Sequence, residues 1–255
     1  MKKDRVIIAN WKSNLNLQQT RDLAAQMAEK FKNFENGKIA VCPNFVSLTE
    51  VREIIKDSSV KLGAQTVFWE NKGAFTGEIG PELLMEAGCE YVIVGHSERR
   101  KYLLENYEMI NKMVKSVVNT ESLVPIICIG ENWDERKTDK VDFVLVDQLQ
   151  QALGGVSVVG DQQIIVAYEP IWAIGSGAAM EPAEAEYSHK IIKLALNGMF
   201  GMQIVSRNFK IIYGGSISSQ NVKGFSGIDY LDGLLVGGAS LNADEFHKVA
   251  CEIIK

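Results

Sequence analysis

Residues able to do chemistry stand at the ends of apolar runs in this chain. Asn10 and Lys12 follow "RVIIA", and His96, Ser97 and Glu98 follow "EYVIVG". Glu131 follows "IICIG", and Glu169 follows "QQIIVAY". Ser216 and the pair Gly237–Gly238 close two late runs, "FKIIYGG" and "LDGLLVG". An amide, an ammonium, an imidazole and a carboxylate are the parts of acid–base and electrostatic catalysis. Singly, each has a structural reading: Glu169 as a cap or salt-bridge residue, Lys12 as a rim charge, His96 as a core histidine, the glycine pairs as turns. Convergence decides, and convergence needs a fold that brings the run ends together.

The stretch just after Glu169 is unusual. Pro170, Ile171, Trp172, Ala173 and Ile174 are as apolar as the run before them, and Gly175, Ser176 and Gly177 close the segment. Loops are normally polar because they cross the surface.

Eight short runs rich in Val and Ile begin near residues 5, 38, 60, 90, 123, 163, 209 and 232. Their continuous apolarity predicts strands buried on both faces, as in a parallel sheet. Helical stretches lie between them. "QQTRDLAAQMAEKFKNF" spaces Leu23, Met27, Phe31 and Phe34 on one face. "EPAEAEYSHKIIKLALNGMF" starts helically at Pro182, and Asn242 reads as the cap of the last helix. Eight such units predict a single-domain α/β fold, a (β/α)8 barrel over residues 1–255. A doubly wound sheet would need an early nucleotide fingerprint, and no G-x-G-x-x-G follows an early strand. In a parallel barrel all strands exit on one face, where the chemistry sits, and glycine-rich turns after the last two strands are where barrels bind phosphate. Asn10 and Lys12, two apart, can point together into that mouth.

Composition narrows the classes. Apolar residues make up 46% and charged residues 23%, as in an ordinary globular protein. A net charge of −5 argues against nucleic-acid binding and leaves a small anionic substrate open. No apolar run approaches the roughly 18–20 residues of a membrane helix, and the N-terminus has no signal-peptide core. Cys42, Cys89, Cys128 and Cys251 share no metal-ligand or CxxC spacing and read as reduced thiols of a cytoplasmic protein. His189 and His247 fall within helical stretches and read as structural.

Longer motifs carry a resemblance. "ANWK" at 9–12, "GAFTGE" at 73–78, "VIVGHSERR" at 92–100, "AYEPIWAIGSG" at 167–177, "YGGS" at 213–216 and "LVGGASL" at 235–241 make essentially the whole chain similar to the triosephosphate isomerase family. The resemblance implies a TIM barrel that interconverts dihydroxyacetone phosphate and glyceraldehyde 3-phosphate through an enediol(ate), in glycolysis and gluconeogenesis, with no metal and no cofactor. It implies Glu169 as the base, His96 as donor to the enediolate oxygens, Lys12 as positive charge, and Asn10 as a hydrogen-bonding group. Glu98 would fix Lys12, and Ser97 would hold Glu169 before closure. Gly175, Ser216, Gly237 and Gly238 would hold the phosphate, and residues 170–177 would be a lid that dries the site. The loop at 68–80, with Phe68, Trp69 and Phe75, would plug into a second subunit and make a homodimer, bringing Thr76 near that subunit's lysine.

The chain departs from the usual family pattern in four places: Ala178–Ala179–Met180 at the second lid hinge, Thr66 for an asparagine, Gly80 for a serine, and Leu104 for a glycine. Two rivals share the fold class: a Schiff-base aldolase with Lys12 as nucleophile, and a phosphate-binding barrel without catalysis.

Overall fold

The computed structural model describes residues 5–120, 122–174 and 180–255. Eight strands form a closed parallel barrel in sequence order. They are β1 (Arg5–Asn10), β2 (Gly37–Cys42), β3 (Val60–Ala64) and β4 (Cys89–Val94), then β5 (Val124–Ile129), β6 (Ile164–Tyr168), β7 (Phe209–Tyr213) and β8 (Gly233–Val236). The expected (β/α)8 barrel is what the chain adopts, and β8 pairs back with β1 to close it.

Helices cover the outside. In the first half these are α1 (Leu17–Lys30), α2 (Leu48–Ile55), α3 (Pro81–Glu86), α4 (Ser97–Tyr102) and α5 (Tyr107–Val118). In the second they are α6 (Trp133–Lys137), α7 (Val141–Leu153), α8 (Pro182–Phe200), α9 (Met202–Asn208) and α10 (Ala243–Ile254). Local chemistry sets their starts. Asn16 and Gln19 form a reciprocal capping box on α1. Pro182 opens α8, and Asn242 caps α10 by accepting from the Glu245 N–H at 3.0 Å. α1 stops at Lys30, so Phe31 packs as its cap residue and Phe34 lies beyond the helix. Among the described residues no helix is long and apolar enough to cross a membrane.

Two apolar cores follow from the period of two. Val6 and Ile8 of β1, Ile126 and Cys128 of β5, and Ile165 and Ala167 of β6 fill the barrel interior. The alternate residues, such as Ile7, Ala9, Ile127 and Val166, join the larger core between barrel and helices. Runs buried on both faces carry no polar alternation, which is why they read as continuous. Cys42, Cys89 and Cys128 are buried and Cys251 is partly exposed, all as free thiols.

One departure from the family pattern acquires a local reason, and a second carries a local cost. A Cβ on Gly80 would meet the Glu70 carbonyl oxygen at 2.4 Å, so this chain has no room for a side chain there. Leu104 keeps a left-handed backbone, φ +57, where glycine carries no such penalty.

His189 is structural, as expected. On α8 it is fully buried, its Nδ1 lies 2.7 Å from the Ala185 carbonyl, and its ring packs edge-on against Tyr168. Burial lowers its pKa from 6.5 to about 4. Between those values the unfolded chain binds the extra proton, so stability falls as pH drops through 6.5 and levels off below about 4. From pH 7 to pH 5 the loss should be about 2 kcal/mol. Urea unfolding at both pH values, at fixed protein concentration, should show a clearly smaller loss in His189→Gln. Equal losses in the two proteins would remove this account.

Candidate functional site

The inward phase of the strands continues past their ends. Val6 and Ile8 point into the barrel, and Asn10 is next in phase; Ile165 and Ala167 point in, and Glu169 is next. At the same level Gly130, Gly214 and Gly237 continue the phases of β5, β7 and β8. Space explains the first two glycines. A Cβ on Gly130 would lie 1.7 Å from the Glu169 carbonyl oxygen, and one on Gly214 would lie 2.9 Å from Glu169 Cγ.

His96 reaches the same place by another route. Tyr91 and Ile93 point inward, so simple alternation would carry Gly95 inward and His96 outward. Gly95 turns the chain with φ +68, and His96 becomes the N-cap of α4 facing the cavity. Lys12 bends similarly, with φ +51. Asn10, Lys12, His96 and Glu169 line one cavity of about 180 Å³, together with Ile174, Ser216, Leu235, Gly237 and Gly238. The convergence expected from the sequence is present in the geometry.

The polar contacts are specific. His96 Nε2 lies 3.1 Å from Glu169 Oε1, and the Ser97 main-chain N–H donates to Glu169 Oε2 at 3.3 Å. Lys12 Nζ pairs with Glu98 Oε1 at 2.7 Å. The Glu98 main-chain N–H donates to His96 Nδ1 at 3.2 Å. Glu169 is 2% exposed and His96 is 5% exposed, so both must be satisfied from within the protein.

Burial pushes Glu169 toward the neutral acid. The hydrogen bonds from His96 and the Ser97 N–H, with the nearby Lys12 charge, oppose it, and the carboxyl is held below the usual carboxylate range. For His96, burial pulls the pKa down, and the Glu169 carboxylate more than offsets it, so the net direction is up. That direction favours an imidazolium, whereas the hydrogen bond to Nδ1 requires a lone pair there. The hydrogen bond decides: a ring accepting at Nδ1 is neutral and carries its proton on Nε2, aimed at the cavity.

The segment beyond Glu169 is tethered at its start. Ile171–Ala173 form a single 3-10 turn. The Ile171 N–H donates to the Glu131 carbonyl at 3.0 Å, and Trp172 Nε1 donates to Glu131 Oε1 at 2.9 Å. The fully buried Glu131 also receives the Tyr168 hydroxyl at 3.1 Å and pairs with Arg136 at 3.2 Å. Ala173 is buried and Ile174 borders the cavity. The expected lid and phosphate positions Gly175, Ser176 and Gly177, and the hinge residues Ala178 and Ala179, lie outside the described residues. Met180 is buried.

Three supports are not visible in the sequence. Glu131 reads there only as a strand-end acid. Arg100 donates to the Gly95 and Cys128 carbonyls at 2.7 and 2.8 Å, tying the exit of β4 to β5. Gly214 makes room for Glu169. The available signal is the adjacency of strand exits in the barrel: residues just after β5 must meet residues just after β6.

A closed parallel barrel whose strand ends gather a carboxylate, an imidazole and an ammonium in one cavity defines a (β/α)8-barrel enzyme. A profile of the Triosephosphate isomerase family matches residues 5–253. Proteins named triosephosphate isomerase are similar throughout. That of Dictyoglomus thermophilum is 41% identical over 245 residues, covering 96% of this chain and 98% of its own. That of Dictyoglomus turgidum is 41% identical, covering 95% and 96%. That of Geobacter metallireducens is 39% identical, covering 94% and 95%. The chain belongs to the triosephosphate isomerase family.

The tight fit around Glu169 sets a test. Gly214→Ala forces a small shift of the Glu169 side chain, because the added methyl would sit 2.9 Å from its Cγ. Misplacement of a reacting group by about 1 Å costs on the order of 100-fold, and a few tenths should cost about 10-fold. Steady-state kinetics should show that loss in kcat with KM nearly unchanged. A wild-type kcat would mean that Glu169 tolerates displacement.

Proposed function

We propose that this chain interconverts dihydroxyacetone phosphate and D-glyceraldehyde 3-phosphate in the cavity at the strand ends, as a glycolytic isomerase. The contact between Glu169 and His96, 3.1 Å apart on a buried floor beside Lys12, carries the reading.

The reaction moves a proton between adjacent carbons. Glu169 takes the proton from the carbon beside the carbonyl. The neutral His96 donates from Nε2 to the oxygens of the enediolate, and Lys12, held by Glu98, supplies positive charge to them. Asn10, in phase with Glu169 on the inner face, adds a hydrogen bond. Reprotonation at the neighbouring carbon completes the isomerisation. Substrate binding itself strengthens the base. In the empty cavity Glu169 is held as the carboxylate by His96, the Ser97 N–H and Lys12. A substrate lying between Glu169 and His96 takes the imidazole's hydrogen bond for its own oxygen. Glu169 then loses its strongest partner while burial remains, and its proton affinity rises.

Ser216, Gly237 and Gly238 border the end of the cavity where β7 and β8 leave the barrel, and a 3-10 turn, Gly238–Leu241, begins there. Main-chain N–H groups at this position suit a phosphate, with Gly175 joining them from the lid. Closure of residues 170–177 brings Ile174 and Leu235 around Glu169 and keeps water from the enediolate, which would otherwise expel inorganic phosphate and leave methylglyoxal. Phosphate binding away from the reacting carbons supplies energy for that closure.

The active form we propose is a cytoplasmic homodimer joined through the 68–80 loop. The loop packs Phe75 on Phe68 with ring centroids 4.8 Å apart, yet leaves Phe75 43% exposed and Thr76 exposed beside it. A separate opening beside Lys12, His96 and Gln65 is bordered by Tyr102 and Leu103. Those two and Leu104 are all exposed. The buried Thr66 hydroxyl and Glu105 Oε2 find no hydrogen-bond partner among the described residues of a single chain. In the proposed dimer the loop of a second copy covers this opening. The free thiols suit a reducing compartment.

A coupled assay with glyceraldehyde 3-phosphate should show turnover that Glu169→Gln abolishes. Glu169→Asp, which retracts the charge by about 1 Å, should lose on the order of 100-fold. Ile174→Ala should slow isomerisation and raise methylglyoxal release. Wild-type rates in Glu169→Gln would rule out its role as base.

Sedimentation equilibrium should give the mass of two chains, and Phe75→Asp should shift the population toward one chain with lower specific activity. A monomeric wild-type protein with full activity would refute the dimer.

A further inference from the structure

Lys12 has to hold its ammonium over the cavity from a backbone that L-residues disfavour. Among the described residues only Lys12, Leu104 and Asp139 combine a side chain with positive φ, and such geometry persists where the surroundings impose it. Two side chains impose it here. The Lys12 N–H donates to Asn10 Oδ1 at 3.1 Å, which closes the turn locally. The Lys12 carbonyl accepts from Gln65 Nε2 at 2.7 Å, and that same amide nitrogen donates to the Cys42 carbonyl at 2.9 Å. Gln65 follows β3, Cys42 ends β2, and Lys12 lies two residues after β1. One amide group thus pins three consecutive strand exits together.

We propose that Gln65 is a positioning residue for catalysis: by holding the Lys12 carbonyl it maintains the left-handed turn that aims the lysine side chain at Glu98 and the cavity. The amide is suited to this. It offers two N–H donors from one nitrogen, and two main-chain carbonyls take them. A methionine matches the length and offers no donor. An asparagine keeps the amide and is shorter by one methylene, so it cannot reach both carbonyls. With the carbonyl released, Lys12 can relax to an ordinary backbone, and its ammonium leaves the place that the proposed function gives it. The inference rests on that role of Lys12.

A double-mutant cycle separates the two ideas. kcat and KM for glyceraldehyde 3-phosphate, and competitive inhibition by inorganic phosphate, are measured for wild type, Gln65→Met, Lys12→Met and the double variant. Thermal melts of each accompany them. Gln65→Met should lower kcat/KM by about 10- to 100-fold and weaken phosphate inhibition. In the Lys12→Met background the same substitution should change kcat/KM by less than about 2-fold, because the group it positions is gone. Gln65→Asn should resemble Gln65→Met and serves in its place if the methionine variant does not fold. If Lys12→Met itself is as active as wild type, the role of Lys12 fails and the inference falls with it. If Lys12→Met is impaired while Gln65→Met is normal, or lowers activity equally in both backgrounds, Gln65 is only structural and the inference alone is overturned.

Discussion

The arrangement depends on keeping one carboxylate charged where water cannot reach it. Glu169 is almost fully enclosed, and an isolated buried carboxylate would take up a proton. The donors that prevent this are few: His96 Nε2, the Ser97 main-chain N–H and the field of Lys12. They come from β4's exit and β1's exit, so the barrel must close accurately before the charge can exist. Arg100 ties the exits of β4 and β5 from behind, and Glu98 fixes the ammonium. The proposed base and the groups that keep it ionised therefore form one electrostatic unit. In the proposed mechanism a substrate replaces one of its hydrogen bonds.

Geometry at the strand ends follows from a simple alternation with two breaks. Inward-facing positions on β1 and β6 deliver Asn10 and Glu169, while those on β5 and β7 deliver glycines where any side chain would collide with Glu169. His96 and Lys12 cannot be reached by alternation alone. Each follows or adopts a left-handed residue, Gly95 in one case and Lys12 itself in the other. The first break uses glycine, which carries no penalty. The second is made by Lys12 itself, so something else has to hold it.

Much of this is legible in the chain. The eight apolar runs imply the barrel, because strands buried on both faces show no polar alternation, and the polar strand ends single out Asn10, Lys12, His96 and Glu169. Capping residues Pro182 and Asn242 are readable because a cap is a local contact. Glu131, Arg100 and Gln65 are not readable as supports. The contacts of Glu131 and Gln65 span 41 residues to Trp172 and 53 to Lys12, and Arg100 reaches Cys128 across 28. Only strand adjacency brings such partners together. The left-handed backbone of Leu104 is also hidden, since nothing in a leucine announces positive φ.

The proposed base and the proposed lid are consecutive in sequence, so the two are mechanically linked. Glu169 ends the inward phase of β6, and Pro170 leads at once into the turn at Ile171–Ala173. Any rotation of that turn is transmitted to the Glu169 backbone, because proline leaves little freedom between them. Yet the turn is moored to the neighbouring strand exit by Glu131, through its carbonyl to Ile171 and its carboxylate to Trp172. The Glu169 N–H is moored there too, to the Ile129 carbonyl at 2.7 Å. The moorings hold the start of the segment, Ile171–Ala173, at the exit of β5. With its backbone held, the proposed base is left with side-chain freedom alone, and the absence of a methyl at Gly214 preserves it, since a Cβ there would stand 2.9 Å from Glu169 Cγ.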